Sequence, residues 1–246
     1  MSRRLAVVLI DFQNAFFQDD TLAAQRPELV RRANTLVSWA RSHDCPVVNV
    51  RTEHRRDRST WTLNMLEDDQ GFAFEGEEDA APLGELDLAG ALEVVKTRDD
   101  AFLGTHLGEL LRARRIGTIV VAGVSTHSCV LATVSHAYAE NFEVVLVTDA
   151  IADNRPELHE PTLQQLNDEF RLPLRTTDEV VTAGAPTVRE RHEAPATGRS
   201  PGPRPAGSQA AGAGAPASAH HLMKSISRYF GSGHTASSTS ASRVSA

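Results

Sequence analysis

Short unbroken apolar runs alternate along this chain with stretches in which apolar residues recur every three or four positions. Residues 5–10, 46–50, 92–95, 116–122 and 144–147 are runs rich in Val, Ile and Leu, of the kind that form strands covered on both faces. Between them, Val30, Ala33, Val37 and Ala40 predict a helix over 27–42 with Pro27 in its first turn. Leu107, Leu110 and Leu111 predict another over 105–114, and Val130, Val134 and Ala137 a third. A helix over Pro156–Phe170 and a short last strand over 174–176 complete the pattern. Strands alternating with helices imply an α/β fold, a doubly wound and mostly parallel sheet flanked by helices.

Three of these strands run into residues that carry chemistry. Residues 5–10 stop at Asp11, residues 92–95 at Lys96, and residues 116–122 reach a turn at Gly123 followed by Cys129. Taken singly, each has an ordinary explanation: a turn-capping aspartate, a solvated lysine, and a cysteine packed as a small hydrophobe. Open α/β sheets place their ligand crevices at the carboxyl ends of strands, and that shared position favours function. If strands one, three and four are neighbours, the three groups converge on one crevice. Cys129 is expected in the first turn of a helix, where free N–H groups and the dipole favour thiolate.

Residues 51–88 lose clean periodicity and are too long for a simple connection, and long ordered loops tend to be functional. Phe16, His54 and Trp61 are the candidate substrate-binding residues, because aromatic walls suit small planar ligands. No phosphate-cradling glycine loop follows the first strand, so no nucleotide cofactor is implied.

Composition narrows the reading further. The chain has 246 residues, enough for one sizeable domain over 1–185 and an appendage over 186–246. From residue 195 to 219, 21 of 25 residues are Pro, Gly, Ala or Ser, a composition expected to be disordered. Leu222, Ile226, Tyr229 and Phe230 have helical spacing in the tail, a weak docking signal, and His220 with His221 lacks a third metal ligand. The net charge is −7, yet the tail holds seven Lys/Arg against two Asp/Glu, leaving the body at −7 − 5 = −12. An acidic body repels phosphate backbones, so nucleic acid is not an expected partner. Cys45 and Cys129 are far apart without metal or disulfide spacing, which suits a reducing compartment. Residues 5–10 are too short for a signal-peptide core or a membrane span of ~20 residues, so a cytoplasmic protein is expected.

With these residues in hand, the chain resembles the isochorismatase-like cysteine hydrolases, a family that includes nicotinamidases, N-carbamoylsarcosine amidases, ureidoacrylate hydrolases and isochorismatases. The resemblance covers about residues 5–183. It is carried by Leu9, Ile10, Asp11, Phe12 and Gln13; by Lys96, Thr97, Arg98, Ala101, Phe102, Thr105, His106 and Leu107; by Gly123, Val124, Ser125, Thr126, Cys129 and Val130; and by Asp149 with Ala150. It implies a six-stranded parallel sheet, a homo-oligomer, a catalytic triad of Asp11, Lys96 and Cys129, and a cis peptide between Val124 and Ser125. The backbone N–H groups of Ser125 and Cys129 would then hold the oxyanion. Metal-dependent nicotinamidases carry an Asp-x-His pair after the second strand, where this chain has Thr52, Glu53 and His54, so no metal is expected. Members acting on isochorismate often lack the cysteine, and its presence here tilts the reading to amide chemistry. The expected activity is therefore cleavage of an amide or ureido bond in a small molecule through a thioester. The alternatives are a vinyl-ether hydrolase of the isochorismatase type and a catalytically silent binding protein on the same fold, and ammonia release separates the first from both.

Overall fold

The computed structural model describes residues 4–183, so the expectations for the tail over 186–246 lie outside the described residues. Strands β1 (Arg4–Ile10), β2 (Val47–Thr52), β3 (Leu92–Lys96), β4 (Ile116–Val124), β5 (Glu143–Ala152) and β6 (Leu174–Arg175) form one sheet. Every pairing is parallel, in the order β3-β2-β1-β4-β5-β6. The chain winds outward from β1 to β3 and then returns to lay β4 against the other side of β1. The crevice between β1 and β4 is thus the switch point at which such sheets bind ligands.

This order corrects the condition set on the sequence: strands one, three and four are not mutual neighbours, because β2 lies between β1 and β3. Sequence patterning specifies which segments are strands but carries no term for which of two parallel neighbours a buried strand chooses.

Alternation along β1 supplies both cores. Ala6, Val8 and Ile10 pack with residues of helices α3 (Leu107–Ala113), α4 (Leu131–Ala139) and α5 (Pro156–Phe170) on one face. Val7 and Leu9 pack on the other face with α1 (Asp20–Ser42) and α6 (Thr177–Ala183). Side chains covered on both faces explain why the strands read as continuous apolar runs rather than alternating ones.

The start of α1 and the end of β4 differ from expectation. Helix α1 begins at Asp20, because the Asp19 carboxylate accepts from the backbone N–H of Thr21 at 2.9 Å and of Leu22 at 3.2 Å. Pro27 therefore sits inside the helix rather than at its start. Strand β4 continues through Gly123 to Val124, and the chain then makes one π-type turn over Thr126–Val130 before α4. Cys129 lies in that turn and not in the first turn of a regular helix. Asp149, part of the resemblance, is structural: its Oδ1 accepts from Thr177 N at 2.7 Å and Thr177 Oγ1 at 2.8 Å, and its Oδ2 pairs with Arg32 at 3.1 Å. It ties α6, which the sequence reading missed, to α1.

The long stretch after β2 contains only the short helix α2 (Leu63–Glu67) and one helical turn over Glu78–Ala80. Two isolated bridges hold it, Gln13 with Pro82 to the segment after β1 and His54 with Phe74 within the stretch itself. No helix among the described residues is long and apolar enough to cross a membrane.

Candidate active site

At the end of β1 the backbone turns through Asp11, which has φ 55°, a left-handed conformation that aspartate tolerates better than most residues. Opposite it, Gly123 has φ 147° and pairs with Ile10. A Cβ built at Gly123 would stand 2.3 Å from the Ile10 carbonyl oxygen, so glycine alone allows β1 and β4 to approach this closely. The next peptide, Val124–Ser125, is cis, as the resemblance implies.

Asp11, Lys96 and Cys129 meet on this edge, and all three are buried. Lys96 Nζ lies 2.8 Å from Asp11 Oδ2 and 3.4 Å from Cys129 Sγ. It also donates to Thr52 Oγ1 at 2.8 Å, and the Thr52 hydroxyl in turn donates to Asp11 Oδ1 at 2.9 Å. Thr52 is the last residue of β2, so the intervening strand supplies the link between the groups it separates. The Asp11 carboxylate thus faces the Lys96 ammonium through Oδ2 and the Thr52 hydroxyl through Oδ1.

The electrostatics assign protonation states. Burial works against the Lys96 ammonium, yet the Asp11 carboxylate and then Cys129 hold its pKa above the usual lysine value. Cys129 goes the other way from the sequence expectation. Burial first, and then the Asp11 carboxylate, push its thiol well above the ordinary value, with Lys96 as the opposing influence. The resting group is a neutral thiol, because desolvation of the buried sulfur outweighs one cation when two carboxylates, Asp11 and Asp99, also face it. Asp99 Oδ1 is 3.8 Å from the sulfur.

Cys129 opens onto a cavity of about 1010 Å³. Its apolar side includes Phe16, Trp61, Leu63 and Phe72; its polar side includes Arg98, Asp99, Ser125, His127, Asn154 and Arg155. All three candidate substrate residues line it. Phe16 meets Phe72 edge-on with centroids 5.6 Å apart, and His54 meets the same ring at 5.6 Å. Trp61 donates its Nε1 hydrogen to the Arg55 carbonyl at 2.8 Å. Burial, reinforced by Arg98 and Lys96, lowers the His54 pKa, so the ring is neutral at pH 7. Ser125 is buried beside Cys129 and donates to Asn154 Oδ1 at 3.2 Å.

The donor set does not fit a metal ion. The Thr52 hydroxyl is committed to Asp11 and Lys96, and Glu53 is paired with Arg51, which leaves His54 as a lone donor there. Among the described residues no three His, Cys, Asp or Glu side chains are grouped to hold one.

Two features escaped the sequence reading. Gln13 holds the Thr52 backbone from both sides, donating from Nε2 to Thr52 O at 2.8 Å while Oε1 accepts from Thr52 N at 2.7 Å. His127 Nδ1 pairs with buried Asp153 at 2.7 Å, a contact between residues 26 apart that no local pattern announces.

Comparison with known proteins agrees with this architecture. The isochorismatase domain model matches residues 5–178, and the chain belongs to that family of hydrolases, which includes amidases. It is 29% identical over 171 residues to a protein of Arabidopsis thaliana named "probable inactive nicotinamidase", covering 64% of this chain and 85% of the relative. It is 27% identical over 187 residues to the maleamate amidohydrolase of Pseudomonas putida, covering 68% and 81%. The crystal structure of an isochorismatase family protein from Desulfovibrio vulgaris superposes with a TM-score of 0.67 at 27% identity, covering 73% of this chain and 97% of the other.

Proposed function

We propose that this chain is a cysteine amidohydrolase that cleaves an amide or ureido C–N bond in a small molecule. The observation that carries the reading is the contact of Lys96 with both Asp11 and Cys129, with Cys129 lining the cavity on the switch-point edge.

Because the thiol rests protonated, reaction starts with a base. Asp11 takes the Cys129 proton as the sulfur attacks the substrate carbonyl carbon, and Lys96 balances the charge left between carboxylate and sulfur. The oxyanion of the tetrahedral intermediate is held by the backbone N–H groups of Ser125 and Cys129, an arrangement in which one donor is typically worth ~3 kcal/mol of barrier. The C–N bond breaks as Asp11 returns its proton to nitrogen, releasing ammonia or an amine and leaving a thioester. Water then attacks the thioester, Asp11 accepts its proton, and the carboxylic acid leaves with the thiol restored.

Phe16, His54 and Trp61 form the wall against which a planar or apolar substrate body rests. The amidase names among the relatives support C–N chemistry, and the presence of all three reactive side chains argues against a silent scaffold. We take the enzyme to be a cytoplasmic homo-oligomer whose hydrolase domain occupies residues 1–185 and needs no cofactor. A panel of small amides, carbamoyl amino acids and ureido acids assayed for ammonia tests the reading. Release that disappears in Cys129→Ser supports it, and silence across the panel returns the chain to the class of binding proteins.

A further inference from the structure

Thr52 occupies a position that the mechanism above does not use. Its side chain is buried, it ends the strand between those of Asp11 and Lys96, and its single hydroxyl touches both. Lysine has no acceptor, so the hydroxyl must accept from Lys96 Nζ, and its one hydrogen must go to Asp11 Oδ1. That leaves Asp11 with two unlike oxygens. Oδ1 is committed to the Thr52 hydroxyl, whereas Oδ2 is buried and faces the Lys96 ammonium at 2.8 Å.

We propose that Thr52 is a positioning residue that makes Asp11 Oδ2 the oxygen that receives the Cys129 proton, by occupying Oδ1 and steering Lys96 between carboxylate and sulfur. Gln13 serves the same end one layer back. Its amide pins both the N–H and the C=O of Thr52, and it also donates to Ala80 O at 2.7 Å, so the hydroxyl is held from β1 and from the long loop. Valine at 52 would fill the same space and suit the strand while removing the hydroxyl.

The inference rests on the cysteine-hydrolase reading, and its test is chosen to fail separately. Full-length protein is treated with iodoacetamide across pH, and modification of the Cys129 peptide is followed by mass spectrometry so that Cys45 does not contribute. The acid limb of the alkylation profile reports the pH at which the Cys129 proton can leave for its base. Thr52→Val removes a hydrogen bond to the charged carboxylate, so this limb is expected to move up by about one pH unit. Thr52→Ser is expected to restore it, because the hydroxyl returns. A role in packing alone would lower stability or uniformly slow alkylation without moving the limb.

An unmoved limb in folded Thr52→Val overturns the inference. So does a limb that moves equally in Thr52→Ser. Thr52→Ala, which adds no bulk, takes the place of valine if that variant fails to fold. Asp11→Asn provides the separate control. If its profile matches wild type, the reading of Asp11 as base fails, whereas a changed profile there with none in Thr52→Val condemns only the role given to Thr52.

Discussion

Lys96 Nζ stands 2.8 Å from Asp11 Oδ2 although their strands are not neighbours in the sheet. The lysine side chain is long enough to pass the end of β2, and Thr52 at that end turns the passage into a hydrogen-bonded route. A buried ammonium beside a buried carboxylate gains little by itself, but breaking such a pair leaves an uncompensated charge.

Lys96→Ala therefore costs about 3–5 kcal/mol in stability, read from the urea midpoint. It also raises the apparent pKa of Cys129 further, because the one group that lowers it is gone. A stability change under ~0.5 kcal/mol with an unaltered thiol profile would return Lys96 to the role of an ordinary charge.

Gly123→Ala is expected to destabilise the fold by about 3 kcal/mol or more, since the new methyl meets the Ile10 backbone at a φ that alanine does not favour. Thermal melting checks it. A variant within ~0.5 kcal/mol of wild type would mean that β1 and β4 can separate at the point where Asp11 begins.

The raised thiol pKa makes an alkaline prediction. In the unfolded chain Cys129 ionises near 9.0, while in the folded protein it keeps its proton to higher pH. Between those values the folded state binds more protons, so stability falls as pH rises, by up to about 1.4 kcal/mol per unit for one group. Lys96, also raised, keeps its full contribution up to its unfolded value of 10.5. The stability difference between wild type and Cys129→Ser should thus shrink on going from pH 8 to pH 10. A difference that is flat, or that grows, would show a cysteine ionised at rest.

Much of this site was legible in the sequence because strand ends are legible. Asp11 and Lys96 each interrupt an apolar run, and Cys129 follows one, so their shared edge could be placed before their contacts. Thr52 gave no such signal, because it lies beyond Arg51 at the end of the second run and a hydroxyl carries no charge to single it out. Gln13 and the His127–Asp153 pair depend on contacts across 39 and 26 residues, which no periodicity records. Pro27 misled because proline suits a first turn, whereas the capping strength of Asp19 carried α1 past it. The thiol was misjudged for a related reason: its place near a helix start was visible, but the depth of its burial was not.

Chelation should leave hydrolysis intact, given that the Thr52 hydroxyl is already engaged and no three ligating side chains are grouped among the described residues. Activity lost on dialysis against a chelator and restored by zinc would show that these side chains rearrange around an ion.

The central claim is a covalent acyl-enzyme on Cys129. Wild type mixed with an amide that it hydrolyses, quenched in acid within one turnover and measured as intact mass, should show an adduct equal to the substrate less its leaving amine, mapping to the Cys129 peptide. Cys129→Ser should fold, lack the adduct and release ammonia slower by three or more orders of magnitude, on the order expected for loss of a nucleophile. Wild-type ammonia release from Cys129→Ser, with no adduct on either protein, would contradict the account.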